Sequence, residues 1–278
     1  MKNSIDEETL RKVQLIQLEI LVEFDRICKI NNLQYQLFSG TLIGAIRHKG
    51  FIPWDDDIDV AMTRKDYERF LNICNDYLGS DYFLQNYDTD PNFHRQFSRI
   101  RKNNTKYIQY SYENIDIHHG IFIDIFPMDD VIPDNILEKL RDKTLLAMFH
   151  INRLRNLGVN SEANIIKKIA GKVIEGSNSI IKKSTFDRRK TKIMKAFQEK
   201  DTDYINHLTN TTTPERFKRF LIKKEDFYDT IEWEFEGYKF PIPRNYHQYL
   251  TNIYGDYMEL PPEEERKPHH GIIEIETN

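Results

Sequence analysis

The stretch Asp55-Asp56-Asp57-Ile58-Asp59 places four carboxylates in five positions, after Pro53-Trp54 and before the apolar Val60-Ala61-Met62. Four close acids repel one another unless a cation or heavy solvation offsets their charge. Ile58 and Val60 alternate with Asp57 and Asp59, so the segment has one apolar face and one acidic face. On a strand, side chains two apart point the same way, about 7 Å apart along the chain. Asp57 and Asp59 then aim at one point, with Asp56 turned away. That spacing suits a hard divalent cation.

Two plainer readings compete. A solvated acidic turn is the usual fate of a charge run, but the apolar face and the fixed Pro53-Trp54 entry argue against it. An EF-hand loop would use Asp55, Asp57 and Asp59, yet it needs glycine where Val60 stands and a bidentate glutamate where Asp66 stands. That reading fails. What remains is the nucleotidyltransferase arrangement: strand, Gly-Thr turn, short helix, then Asp-x-Asp on the next strand. Tyr35–Phe38 supplies the first strand and Ser39-Gly40-Thr41 the turn. Gly40 lets backbone approach a phosphate, Thr41 can cap a helix over 42–47, and that helix offers free amides to phosphate oxygens. Arg47 follows, in position for phosphate contact.

A second informative stretch is Gly120-Ile121-Phe122-Ile123-Asp124-Ile125-Phe126-Pro127. So apolar a run reads as a central strand, where an unpaired carboxylate costs several kcal/mol. Asp124 therefore needs a metal, a cation, a raised pKa or backbone donors. Asp129 and Asp130 read as loop and cap residues. Arg99 and Arg101 share a strand face, either as surface charges or as diphosphate ligands.

The remaining pattern is of mixed α/β type. A capping box at Ser4 opens a long helix through about Cys28, to which the sequence assigns no chemistry. Thr63 caps a helix reaching about Tyr77. Strands follow at 82–86, 97–101 and 106–110, then a helical insertion over about 133–200. A hairpin turns at Glu236-Gly237 and a helix covers 245–254. Residues 209–230 show no clear period.

The segment Ser39–Asp59 closely resembles the signature of the LicD family, bacterial CDP-alcohol-dependent phosphotransferases to which the fukutin-related proteins of animals are distantly related. Ile121–Pro127 resembles a later motif of that family. Tyr254-Gly255-Asp256-Tyr257, Pro261-Pro262-Glu263-Glu264 and the pair His269-His270 resemble its ending. The likeness covers about 10–130 and 230–271. It implies one catalytic domain over 1–278, with a nucleotidyltransferase-like mixed sheet flanked by helices. It implies Asp57, Asp59 and Asp124 as catalytic acids and as ligands of two Mg²⁺ ions, with Mn²⁺ as the alternative. Ser39, Gly40, Thr41, Arg47, Trp54 and Arg99 would serve the substrate, and His269 and His270 would close over its phosphates. The implied donor is a CDP-alcohol, first of all CDP-choline, and the acceptor a hydroxyl of a cell-surface glycan or teichoic-acid precursor. Ribitol, glycerol, ethanolamine or sugar phosphates are alternative cargoes. True nucleotidyl transfer uses the same acids, and an inactive binding module would be expected to lack one of them. Choline itself would need an aromatic cage, for which Trp54, Tyr107, Tyr110, Tyr112, Trp233 and Tyr238 are candidates.

Composition sets the outer bounds. The chain has 278 residues, of which 39% are hydrophobic and 30% charged, which fits a soluble globular protein. No apolar run approaches the roughly 20 residues of a membrane span, and the N-terminus lacks a signal-peptide core. Cys28 and Cys74 are too few for a disulfide framework, so a reduced, cytoplasmic protein is expected. A net charge of −4 argues against nucleic-acid partners. Residues 151–200, however, hold thirteen Lys/Arg against four Asp/Glu. There Ile166, Ile169, Ala170, Val173, Ile174 and Ile181 can share a helical face flanked by Lys167, Lys168 and Lys172. Such a face either packs on the catalytic domain or rests on the anionic inner face of the cell membrane.

Overall fold

The structure, a computed structural model, describes residues 5–157, 183–198, 200–209, 213–268 and 270–277. Its first element, α1 (Glu7–Ile30), starts at Asp6, whose carboxylate accepts the Thr9 amide at 2.8 Å. The cap is thus Asp6, not Ser4. Val13, Ile20, Leu21, Phe24 and Ile27 recur at helical spacing and are fully buried against the sheet. Gln14 and Gln17 are buried on the same helix.

After β1 (Gln36–Leu37), helix α2 (Ser39–His48) begins at once, with Phe38 at the cap position and no side-chain cap. Strand β2 (Asp59–Thr63) returns antiparallel to β1, and α3 (Arg64–Tyr77) follows under a Thr63 cap. Then come β3 (Tyr82–Gln85), β4 (Ser98–Lys102), β5 (Lys106–Gln109) and the long β6 (Phe122–Val131). The main sheet runs β1-β2-β6-β4-β3. Only the β2–β6 pair among the described strands is parallel, so the sheet is mixed and the fold is α/β. β6 takes the centre because its residues from Phe122 to Asp129 are all buried, as a strand covered on both faces requires.

The strand continues past Pro127, so Asp129 and Asp130 are sheet residues and not loop or cap. Helix α4 (Ile136–Leu157) and α5 (Lys183–Met194) form the described part of the insertion. Val131, Leu145, Met194, Leu208 and Phe217 make a second, smaller apolar cluster beneath it. The amphipathic face proposed around Ile166–Ile181 lies outside the described residues.

The described part of 209–230, opaque in sequence, and the strand just before it form short elements held by tertiary contacts. Strand β7 (Tyr204–Asn206) extends the far end of β6, and α6 (Pro214–Arg219) precedes β8 (Ile222–Lys223) and α7 (Lys224–Tyr228). The hairpin β9 (Thr230–Phe235) and β10 (Tyr238–Pro243) turns at Glu236-Gly237. It is followed by α8 (Tyr246–Tyr254) and β11 (Ile272–Glu276), which pairs antiparallel with β5. Among the described residues no helix is long and apolar enough to cross a membrane.

Candidate active site

Register decides the centre of the site. In the parallel pair β2–β6, Asp59 stands directly opposite Asp124. Asp57 precedes the strand in an irregular segment, yet it joins the pair: one carboxylate oxygen from each of Asp57, Asp59 and Asp124 lies within 4.8 Å of the others. The three predicted ligands therefore converge, although only Asp59 and Asp124 do so through strand geometry. Three such oxygens form the hard, anionic donor set that Mg²⁺ or Mn²⁺ prefers.

The electrostatics agree. Burial, reinforced by Asp57 and Asp124, pushes the Asp59 carboxyl well above the usual carboxylate range. Burial also raises Asp57, with His270 opposing it. Asp55 is driven up by burial and by its neighbours Asp57 and Asp56. These acids are short of positive charge, and a divalent cation is the species that would relieve all of them together.

Several groups build the site from behind. Asp124 receives a two-pronged contact from Arg99, at 2.6 Å from Nε and 3.2 Å from Nη2. Arg99 faces Asp124 across the β4–β6 ladder and lies 3.6 Å from the centroid of the Phe122 ring. It is buried, so its part is to orient Asp124 and not to sit on the surface. Arg101 is also internal, donating to Gln85 at 2.5 Å and to the Gly120 carbonyl.

Asp56, expected to turn away from the point at which Asp57 and Asp59 aim, is outside the three-acid group and is held by its own partners. Its side chain is fully buried, accepts the Tyr107 hydroxyl at 2.7 Å, and meets the His270 amide and Nδ1, each at 3.2 Å. Burial opposes its ionisation, but His270 and Tyr107 outweigh that and hold it below the usual range. For His270, burial is likewise overcome by the Asp56 hydrogen bond and the Asp57 and Asp56 charges, so its pKa rises. The other ring nitrogen, Nε2, stands 3.9 Å from Asp57. Helix α1 also takes part, against expectation: Gln14 and Gln17 donate to the carbonyls of Asp55 and Asp56 at 2.9 and 2.8 Å. An apolar helical face interrupted by two glutamines was the available signal.

The predicted substrate residues divide into two groups. Ser39 adopts a left-handed backbone with φ of 50° and pairs its hydroxyl with the Tyr254 phenol at 2.7 Å. A Cβ on Gly40 would come within 2.9 Å of an Asp55 oxygen, so glycine lets the start of α2 meet the acids. Thr41 does not cap α2; its hydroxyl accepts the Asp59 amide at 2.8 Å and ties that helix to β2. Arg47 is committed elsewhere: Nη1 donates to the carbonyls of Tyr257 and Glu259 at 3.0 and 3.2 Å. Trp54 lies under the Arg266 guanidinium, 5.6 Å from the ring centroid. His269 lies outside the described residues. Of the cage candidates, Tyr107 and Tyr112 are buried, and Trp233 donates to the Ala45 carbonyl.

Comparison with known proteins shows what the chain is similar to. The family model for the LicD/FKTN/FKRP nucleotidyltransferase domain matches residues 32–143, a span containing Asp57, Asp59 and Asp124. Lipopolysaccharide cholinephosphotransferase LicD of Haemophilus influenzae is 33% identical over 264 residues, covering 94% of this chain and 96% of that protein. Shorter matches are to uncharacterised proteins of Rickettsia prowazekii, 33% identical over 82 residues, and Rickettsia typhi, 37% over 62. Those cover 31% and 20% of the respective proteins. A likeness sustained along nearly the whole length of a transferase, joined to a carboxylate triad on a nucleotidyltransferase-type sheet, identifies the chain as an enzyme of the LicD family.

Proposed function

We propose that this protein transfers phosphocholine from CDP-choline to a hydroxyl of a cell-surface glycan, in a reaction that depends on two Mg²⁺ ions. The observation that carries the reading is the convergence of Asp57, Asp59 and Asp124 in a chain similar throughout its length to a lipopolysaccharide cholinephosphotransferase.

In the reaction, the acceptor oxygen bonds to the choline-bearing phosphorus. The bond from that phosphorus to the bridging oxygen breaks, its electron pair stays with CMP, and the acceptor proton passes to a site carboxylate or to water. When bound, the ions supply charge neutralisation for the diphosphate and the departing CMP. The chain's own residues do the positioning. Asp57, Asp59 and Asp124 would hold the ions, and Arg99 fixes the Asp124 carboxylate from behind. Tyr107 and Asp56 hold His270 with Nε2 toward Asp57. The first turn of α2 presents backbone amides beside the acids, a favourable site for phosphate.

The test is direct. Purified protein, Mg²⁺ and a glycan acceptor are incubated with CDP-choline, CDP-ethanolamine, CDP-glycerol and CDP-ribitol, and products are read by mass. CMP release with phosphocholine on the acceptor is expected, and removal of divalent cations should stop it. Cytidylyl transfer to the acceptor, with phosphocholine released, would replace this reading by nucleotidyl transfer.

A further inference from the structure

A cleft of about 540 Å³ opens beside the carboxylates, lined by Ser39, Arg216, Arg219, Phe220, Ile253 and Tyr254. Its inner wall belongs to the site already described, because the Ser39 hydroxyl pairs with Tyr254 and also reaches the Asp59 carboxylate. Its outer wall is different in kind. Arg216 and Arg219 on α6 are exposed, and among the described residues neither makes an ion pair within 4.0 Å, although Glu215 on the same wall lies within electrostatic range of Arg219. Arg216 lies 5.4 Å from the centroid of the Phe220 ring. Two guanidiniums in a cleft that also has an aromatic and an aliphatic side chain in its lining suit a ligand that is anionic at one point and apolar at another.

We infer that this cleft seats the nucleoside monophosphate half of the CDP-linked donor, with Arg216 and Arg219 on its phosphate. The inference rests on the donor reading above and adds the direction in which the donor lies. Its diphosphate must reach the three acids, so only one end of the molecule can continue past Ser39 into the cleft. The choline end is a fixed cation, which two guanidiniums repel. The nucleotide end is anionic, and its charge grows when the phosphorus–oxygen bond breaks and the electron pair stays on CMP. Phe220 and Ile253 are largely buried and form the apolar floor of the cleft, on which the edge of the pyrimidine would rest. The volume lies within the range of pockets that hold ligands of this size, about 300–1,000 Å³. The alcohol then points away from α6, toward the acceptor.

The experiment is calorimetric titration of CMP into the full chain with Mg²⁺ present, which requires no turnover. R216Q/R219Q should weaken CMP binding by roughly tenfold or more, the scale of one or two charge-assisted hydrogen bonds. The affinity should also become less sensitive to salt. E215Q, at the rim of the same cleft, should tighten CMP slightly by removing an opposing charge. An unchanged melting temperature in R216Q/R219Q guards against misfolding, since both side chains are exposed. CMP affinity equal to wild type in that variant overturns the assignment, as does a raised KM for the glycan with CMP affinity unchanged. A wild-type protein that binds no CMP overturns it as well. Failure of the transferase reading is a separate result: wild-type protein that releases no CMP from any CDP-alcohol.

Discussion

Strand β6 carries two buried aspartates that each meet an arginine, and the two regions behave as opposites. Asp129 takes two contacts from Arg64 of α3, at 2.7 and 2.8 Å, with side chains 1% and 3% exposed. Asp124 takes two from Arg99, at 2.6 and 3.2 Å, with side chains 7% and 4% exposed. Burial and pairing are almost the same. What differs is the neighbour across the ladder: Asn206 for Asp129 and Asp59 for Asp124. Like charges placed directly opposite destabilise a sheet. The Asp129 end is neutral in sum and closed, and Asp130 beside it has its own cation in Lys224 at 2.8 Å. The Asp124 end gathers Asp57 and Asp59 around one arginine. A buried ion pair is therefore no sign of a site; acids in excess of the cations that could balance them are.

The largest effect expected from that contrast is on turnover. D59N or D124N should cut kcat by about 10²–10³-fold or more, the scale of removing a principal electrostatic group from an active site. D129N should leave kcat per folded molecule unchanged and instead lower the unfolding free energy by about 3–5 kcal/mol, because Arg64 is left buried and unpaired. Steady-state kinetics and urea unfolding on the same preparations check both halves. Normal turnover in D124N would erase the distinction between the two ends.

A smaller loss sharpens the boundary of the acidic region. D56N removes the charge that holds His270 and leaves one acceptor oxygen where Tyr107 and His270 now use two, so kcat should fall about 10–100-fold, the usual cost of an orienting partner. Activity within twofold of wild type would show that His270 needs no support from Asp56.

The smallest effect concerns pH and metal. Asp55, Asp57 and Asp59 have raised pKa values, so the folded, metal-free protein binds their protons more tightly than the unfolded chain does. Their contribution to stability therefore declines as pH rises from about 4 through those raised values. Mg²⁺ should flatten this decline by giving the ionised forms a partner. Thermal melts at several pH values, with and without Mg²⁺, measure it.

Much of this site was legible before folding was considered. The isolation of Asp124 in an apolar run and the start of a strand at Asp59 are local patterns that strand geometry converts into facing carboxylates, whereas Asp57 joins them from an irregular segment that the alternation did not foresee. The long first helix, the Thr63 cap and the Glu236-Gly237 hairpin were legible for the same reason: period and turn chemistry act within a few residues. Tertiary structure alone decided the rest. Pairing of β11 with β5 brings His270 onto Asp56, 214 positions away, and makes Asp56 a supporting residue. The β4–β6 register sets Arg99 behind Asp124, and contact with Tyr257 and Glu259 commits Arg47 to the chain's later segment. Packing carries Arg216 and Arg219, from a stretch without readable period, into a cleft shared with Ser39 and Tyr254. Such partners are chosen by which strands pair and which faces bury together. No period of two or 3.6 residues records that choice, because it depends on the free energy of the whole assembled core.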